Sequence, residues 1–319
     1  MKTPLRPDGA NLVQRYLVGT RAASTNTLAA KNPFVLKPKY ADFQKTEEKR
    51  IPFGPELPIV ITKTPNPAWK YGDGSIGHIS KGGANRHTEV DANRPMIENY
   101  RLLVSGIPRP VSFVSTVSET GHKNLAPFSY FQVVDHDPPI FVIGFSARAD
   151  RLKDTRRNLE ETGECVISIV SEHMVDAVNA TSLDVPHGTS EWGLSGFHPV
   201  PSRTVKPERV DEAIFSIEGK LLEMKSLDYH GHAQSGKPTG ALAIIEGKRF
   251  WVRDEALNEA QDEIDLSKLR PVVQLGGIQY ARVRETFELP RPSLDAELAD
   301  ERKGLSRFLR TEEGETDER

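Results

Sequence analysis

The chain has 319 residues, with 42 Lys and Arg against 45 Asp and Glu, a formal net charge of −3 and a single cysteine. That near-balance, with a pI near 6.3, gives no electrostatic reason to expect a nucleic acid or an anionic membrane surface as partner. Mean hydropathy is −0.48 and no apolar run approaches the roughly 20 residues that span a bilayer. The lone Cys165 excludes an intrachain disulfide and argues against a Cys-rich metal site.

Through Tyr40 only Asp8 is acidic, against Lys2, Arg6, Arg15, Arg21, Lys31, Lys37 and Lys39. A poorly ordered basic tail on a cytoplasmic protein is expected; a mitochondrial transit peptide has the same composition and is the alternative. Residues 1–94 read as an extended arm rich in Pro, Lys and Asn, with one strand-like piece at Ile59–Thr62 and with Trp69 and Tyr71 as anchors. Gly72-Asp-Gly-Ser-Ile-Gly77 has the spelling of a dinucleotide fingerprint. Proline-rich turns precede it and no helical pattern follows, so it reads as loop.

From Arg101 the texture changes. Val111, Phe113, Ser115 and Val117 alternate with Ser112, Val114, Thr116 and Ser118, and Gly121 supplies a hairpin turn. KNLAPFSYFQVVDHDPPIFVIGF (123–145) reads as two apolar strand runs joined by a polar, proline-paired turn. Pro127 in the first run marks an edge, a strand start or a bulge, because proline cannot donate to a ladder. Further strands are expected at ECVISIVS, AIFSIEGKLLEMKSL, TGALAIIEGKRFWVRD and QYARVRETFEL. DTRRNLEETG and SEHMVDAVNATS read as short helices, the first with Asp154 as N-cap and Gly163 past its end. Many strands with tight turns and few helices predict a mainly β protein built on an antiparallel barrel. Residues 291–319 form a charge-dense tail, expected as a solvated helix or disorder. His230-Gly-His232, with Asp228 nearby, reads as a solvated loop and not a metal site, and no nucleophile-elbow motif supports hydrolysis.

Three short pieces carry chemistry: Asn124-Leu125-Ala126-Pro127-Phe-Ser129, then Ser146 at the end of a strand, then Lys153-Asp154-Thr155 at the start of a helix. A helix start has free N–H groups and a positive dipole end, which favour an anion. Ser146, Lys153 and Thr155 around it could hold a phosphate; ordinary surface charges and an ordinary cap give the same spelling.

The order of these pieces decides between them. Arg109-Pro110 through Val117, Gly121, Asn124–Ser129, Asp137-Pro-Pro-Ile140, Ser146, Lys153-Asp-Thr155 and Asn158 together resemble the flavin reductase-like family of FMN-binding split barrels. Pro186–Glu191 after MVDAVNATS, Arg203–Val210 and Leu275-Gly-Gly-Ile-Gln-Tyr280 extend the resemblance over residues 95–290. It implies a Greek-key split barrel and a homodimer holding FMN where subunits meet. NADH or NADPH would be the transient donor, and a small-molecule or soluble carrier the electron acceptor.

By the same resemblance Ser115, Thr116 and Asn124–Ser129 face the ring and ribityl chain. Backbone amides around Ala126 bond the ring, and Ser146, Lys153 and Thr155 grip the phosphate. No side chain is implied as acid or base, since the cofactor carries the reaction. A non-catalytic flavin-binding or redox-sensing module on the same fold is the alternative. One departure stands out: Gln274 occupies the position where the family usually has Arg before Leu-Gly-Gly.

Overall fold

The computed structural model describes residues 42–54, 58–74, 87–147, 152–228 and 239–309. The basic segment through Tyr40, Gly77 and the His230/His232 pair lie outside them.

Seven strands form one antiparallel sheet: β1 (Ser112–Val117), β2 (Lys123–Phe128), β3 (Phe131–His136), β4 (Pro139–Phe145), β5 (Glu164–Ile169), β6 (Phe215–Leu227) and β7 (Gly240–Val252). Their order is β2-β1-β5-β6-β7-β4-β3. The β6–β7 hairpin thus sits between β5 and β4, and the β4–β5 connection crosses over it in Greek-key fashion. The two edge strands, β2 and β3, are consecutive in the chain, with only Ser129 and Tyr130 between them. The sheet must therefore curl until its edges meet at that pair. No ladder joins β2 to β3 among the described residues, so the chain itself closes the barrel and leaves it split.

Alternation along each strand fills the interior. Val114, Phe128, Phe131, Ile143, Ile167, Ile217 and Ile245 come from the seven strands in turn, and all belong to one buried cluster. Burying each such side chain stabilises by about 1.5–3 kcal/mol. Cys165 is in the same cluster; burial, with Glu164 adding to it, pushes its thiol up to about 12, as suits an inert core thiol. Outside the barrel, Phe113 and Leu125 face the other way, into a second cluster with Met174, Val178 and Trp192.

Helix α1 (Met96–Gly106) lies against the strand Val272–Leu275, and α2 (Asp154–Thr162), α3 (Val175–Ala180) and α4 (Trp192–Ser195) pack on the sheet. Leu159 of α2 is fully buried in the barrel cluster and stops its mouth. Helix α1 was not foreseen, because Leu102 and Leu103 on it and Ile107 just past its end are exposed and its only buried residue is Val104, so no apolar stripe announced it. The 123–145 run divides into three strands and not two, since the closing corner falls at Ser129-Tyr130. Pro127 sits in an edge strand, where its missing donor costs no ladder bond.

The arm strand Val60–Thr62 pairs in parallel with Glu285–Phe287. The ring of Trp69 lies edge-on to Tyr71 at 5.4 Å and is 43% exposed. The tail holds the arm as well: Tyr71 N–H donates to the Lys303 carbonyl at 3.1 Å, and the Tyr71 phenol is hydrogen-bonded to Glu297. The tail is thus more than a solvated helix; it forms the short helix Leu294–Ala299 and then returns to the arm.

The long hairpin bends where Gly219 faces Gly247, beside a register shift after Glu218. A Cβ on Gly219 would stand 2.6 Å from Ile245 Cγ2 and 3.3 Å from Cys165 Sγ, in a fully packed interior. Gly219→Ala should lower the unfolding free energy by about 1–3 kcal/mol, read as an earlier midpoint in urea denaturation at unchanged m-value.

Candidate functional site

A cleft of about 80 Å³ opens where the start of α2 meets β2. Asn124, Ala126, Pro127, Lys153, Asp154 and Thr155 line it, which brings six of the sequence-predicted residues together.

A buried polar network holds the two elements in place. Asn124 Nδ2 donates to Thr155 Oγ1 at 2.8 Å and to Thr116 Oγ1 at 3.3 Å. Asn158 Nδ2, one turn further along α2, also donates to Thr116 Oγ1 at 3.0 Å. All four side chains are at most 6% exposed. Because Thr155 Oγ1 accepts from Asn124, its own proton is left to donate, and Thr155 lines the cleft.

Helix α2 begins differently from expectation. Lys153 is the N-cap, in an extended conformation and making no side-chain cap bond; Asp154 is the first helical residue. The Asp154 carboxylate is instead engaged by His187 Nδ1 at 2.9 Å, a partner far away in sequence, so local pattern pointed to the wrong cap. The Lys153 ammonium lies over the Phe128 ring, 5.0 Å from its centroid. It therefore stands at the positive end of a nine-residue helix, steadied by an aromatic face.

The rim of β2 has a definite polarity. Leu125 N–H points out of the sheet and donates to Glu191 Oε2 at 3.1 Å. Alternation then turns Ala126 N–H toward β1, and Pro127 has none. The rim at 125–127 thus offers carbonyl oxygens, and its one outward amide is taken by Glu191. Leu125 N–H is thus the outward amide beside Ala126, and in this structure Glu191 accepts it.

The remaining predicted residues stand elsewhere. Thr116 lies behind the cleft in the network. Ser115, its strand neighbour, faces the opposite side with Leu125; its hydroxyl is buried and has no hydrogen-bond partner among the described residues. Ser129 accepts from Arg109 Nε at 3.2 Å and lines a different cavity. Ser146 is exposed just past β4 and is not among the lining residues. The structure adds Phe128, Thr181, Ser182, Leu183, Asp184, Val185 and Glu191 to the cleft wall. The polar Thr-Ser-Leu-Asp run directly after a short helix was the available signal for most of these. Gln274 Oε1 accepts from Arg109 Nη2 at 3.3 Å, so this region keeps a guanidinium, carried by Arg109.

A cationic helix-start cleft on the edge strand of a split antiparallel barrel is a place for an anion. The model of the flavin reductase like domain matches residues 104–266, about half of the chain, and the chain belongs to that family. An uncharacterised protein of Halalkalibacterium halodurans is 36% identical over 199 residues, which is 62% of this chain and 92% of the relative. The structure of nitrilotriacetate monooxygenase component B from Bacillus cereus is 33% identical with a TM-score of 0.60, covering 65% of this chain and all of that one. A split barrel domain from Shewanella frigidimarina, 19% identical with a TM-score of 0.54, covers 63% of this chain and 95% of that one, and bears on the fold alone. Within this family the chain is a flavin reductase-like oxidoreductase. No helix among the described residues is long and apolar enough to cross a membrane.

Thr155→Val keeps the shape but leaves one Asn124 amide proton buried without an acceptor. It should cost about 1–3 kcal/mol in urea denaturation, whereas Thr155→Ser should cost much less. Equal losses in the two variants would show that the hydroxyl is not what holds α2.

Proposed function

We propose that the chain is an FMN-binding, NAD(P)H-dependent oxidoreductase of the flavin reductase type that works as a homodimer. The observation that carries this reading is the Lys153 ammonium at the start of α2, over Phe128 and beside the Thr155 hydroxyl, in a cleft of about 80 Å³. This donor set suits a phosphate: one cation, one hydroxyl and the N-terminal amides of a helix. The cleft is of a size for a phosphate and its neighbouring hydroxyls and not for a whole tricyclic ring. The ring would lie beyond it, along the carbonyl rim of Leu125–Pro127, which suits a ring N–H donor.

When bound, flavin would supply the two-electron chemistry, taking hydride from NADH or NADPH and passing electrons to a soluble acceptor. The chain's part is to hold the phosphate at Lys153 and Thr155 and to keep α2 registered on β2 through Asn124. Glu191 closes the exposed amide of the edge.

A ring lying outside the cleft needs a cover, and the neighbouring surface asks for one too. β3 is an edge strand whose Val133 and Val134 are 53% and 61% exposed. An apolar open edge is an aggregation hazard unless it is paired or covered, and a second copy of the chain is the cover proposed here.

Lys153→Ala should weaken FMN about tenfold to a hundredfold while leaving riboflavin, which has no phosphate, unchanged. Lys248→Ala, whose lysine pairs with Glu246 at 2.5 Å on β7, is the control and should leave both ligands alone. Fluorescence titration of both ligands on both variants decides it; undiminished FMN binding by the Lys153 variant would place the phosphate elsewhere. Rapid mixing of the flavin-loaded protein with NADH and with NADPH should bleach the flavin with at least one of them. Persistent colour with both would leave a binding module and no reductase. Sedimentation of a flavin-loaded monomer would remove the dimer.

A further inference from the structure

Behind the closing corner of the barrel lies a second concavity, about 360 Å³ in volume, reached from the other side of the Phe128–Ser129 bond. Its wall is apolar, built from Leu103, Ile107, Pro110, Tyr130, Phe131 and Val142. Volumes of this size and lining are typical of small-molecule sites, which add only a few polar groups for orientation. Here the polar groups are Ser129, Gln132 and the guanidinium of Arg109.

Arg109 is only 7% exposed, and every one of its hydrogen bonds goes to a neutral acceptor. No Asp or Glu among the described residues pairs with it. A buried guanidinium without a carboxylate is an unbalanced charge, and low-dielectric walls around the cavity strengthen its field there.

Its bonds divide into two kinds. Nη1 is fastened to the Val104 and Ile107 carbonyls, both at 2.8 Å, at the C-terminal end of α1 where a cation is favoured. Nε and Nη2 form the side-on fork that grips a carboxylate bidentately. On that fork the side-chain acceptors are long: Ser129 Oγ at 3.2 Å and Gln274 Oε1 at 3.3 Å. A further Nη2 bond goes to the Gly276 carbonyl at 3.0 Å. Three backbone carbonyls position the arginine, that of Gly276 on Nη2 itself; the other two acceptors on the fork are a hydroxyl and an amide that can rotate away. Ser129 itself lines the cavity, so the Nε side of the fork opens toward it.

We propose that this cavity binds a small apolar monocarboxylate, its carboxylate taking the Nε/Nη2 fork of Arg109 in place of Ser129 Oγ and Gln274 Oε1. The apolar body would pack against Leu103, Ile107 and Val142. This site is separate from the Lys153 cleft and does not depend on flavin.

Calorimetric titration of the full chain with benzoate, and with benzamide as its neutral isostere, tests the assignment. Benzoate should bind at least about tenfold more tightly than benzamide, the range for a charge-assisted bidentate contact. Arg109→Lys keeps the charge but loses the fork, and should bring benzoate down to the level of benzamide. Gln274→Leu removes a competing acceptor without touching the arginine, and should tighten benzoate several-fold. Lys153→Ala should leave benzoate binding alone. Equal binding of benzoate and benzamide, or no binding of either, overturns the proposal. So does a preference for benzoate that survives Arg109→Lys or vanishes in Lys153→Ala. If Arg109→Lys does not fold, the Gln274→Leu titration carries the test, and unchanged benzoate affinity there overturns it.

Discussion

The hydrogen bonds that Thr116, Asn124, Thr155 and Asn158 share are the constraint on which the rest of the site depends. They are few, and each contributes a net of only about 0.5–1.5 kcal/mol, but breaking one inside a buried cluster costs about 1–3 kcal/mol. That asymmetry makes the network a positioning device. It sets the first turn of α2 against β2 at one height and one rotation. Once that is fixed, Leu159 one turn later falls into the barrel mouth, and Lys153 one residue earlier comes over Phe128. Gly163, in the left-handed conformation at φ 68°, then stops the helix and returns the chain into β5. A helix held only by apolar contact could slide or roll, and its N-terminus would not point at a defined place.

The second organising feature is the corner at Ser129-Tyr130. A seven-stranded sheet whose edge strands are consecutive in sequence has to close on itself, and two residues are too few to allow any other path. The corner separates two environments within one residue. Phe128 turns inward, filling the barrel and supporting Lys153, while Ser129 turns to Arg109. The two cationic groups of this region therefore stand on opposite sides of one short stretch of chain, each with its own concavity. Tyr130 continues the β3–β4 pairing, its carbonyl accepting from Gly144 N–H at 2.7 Å. That bond keeps the corner tight.

Much of this was legible in the sequence, and the reasons are local. Strand alternation in Ser112–Val117, the turn glycine at position 121 and the long apolar runs of β6 and β7 are period-two signals that survive any tertiary context. The cluster of Asn124, Ala126, Pro127, Lys153, Asp154 and Thr155 was legible because spaced motifs constrain one another. What could not be read depends on contacts distant in sequence. The true cap of α2 is hidden because Asp154 looks like a cap until His187, in another loop, is seen to engage it. Helix α1 carries its apolar residues outward, so its pattern does not separate from the proline-rich arm before it. The arm's attachment to the tail joins Tyr71 to Glu297, Lys303 and Arg307, contacts so distant in sequence that no local pattern marks them. The role of Arg109 was invisible because most of its partners are carbonyls.

The acidic residues around the Lys153 cleft look at first like an argument against an anion, since Asp154, Asp184 and Glu191 all line it. Their partners change the reading. The Asp154 carboxylate is engaged by His187, and Glu191 Oε2 accepts the outward amide of Leu125. Two of the three carboxylates thus spend their acceptor strength on the walls. What they hold still, the first residue of α2 and the bare edge of β2, are the surfaces that give the cleft its donors and its shape. Glu191 does a further service: an edge strand with a free amide invites pairing with another chain, and a buried carboxylate on that amide removes the invitation. The negative charges in this cleft are therefore part of its scaffold, and the cation and hydroxyl that face inward set its preference.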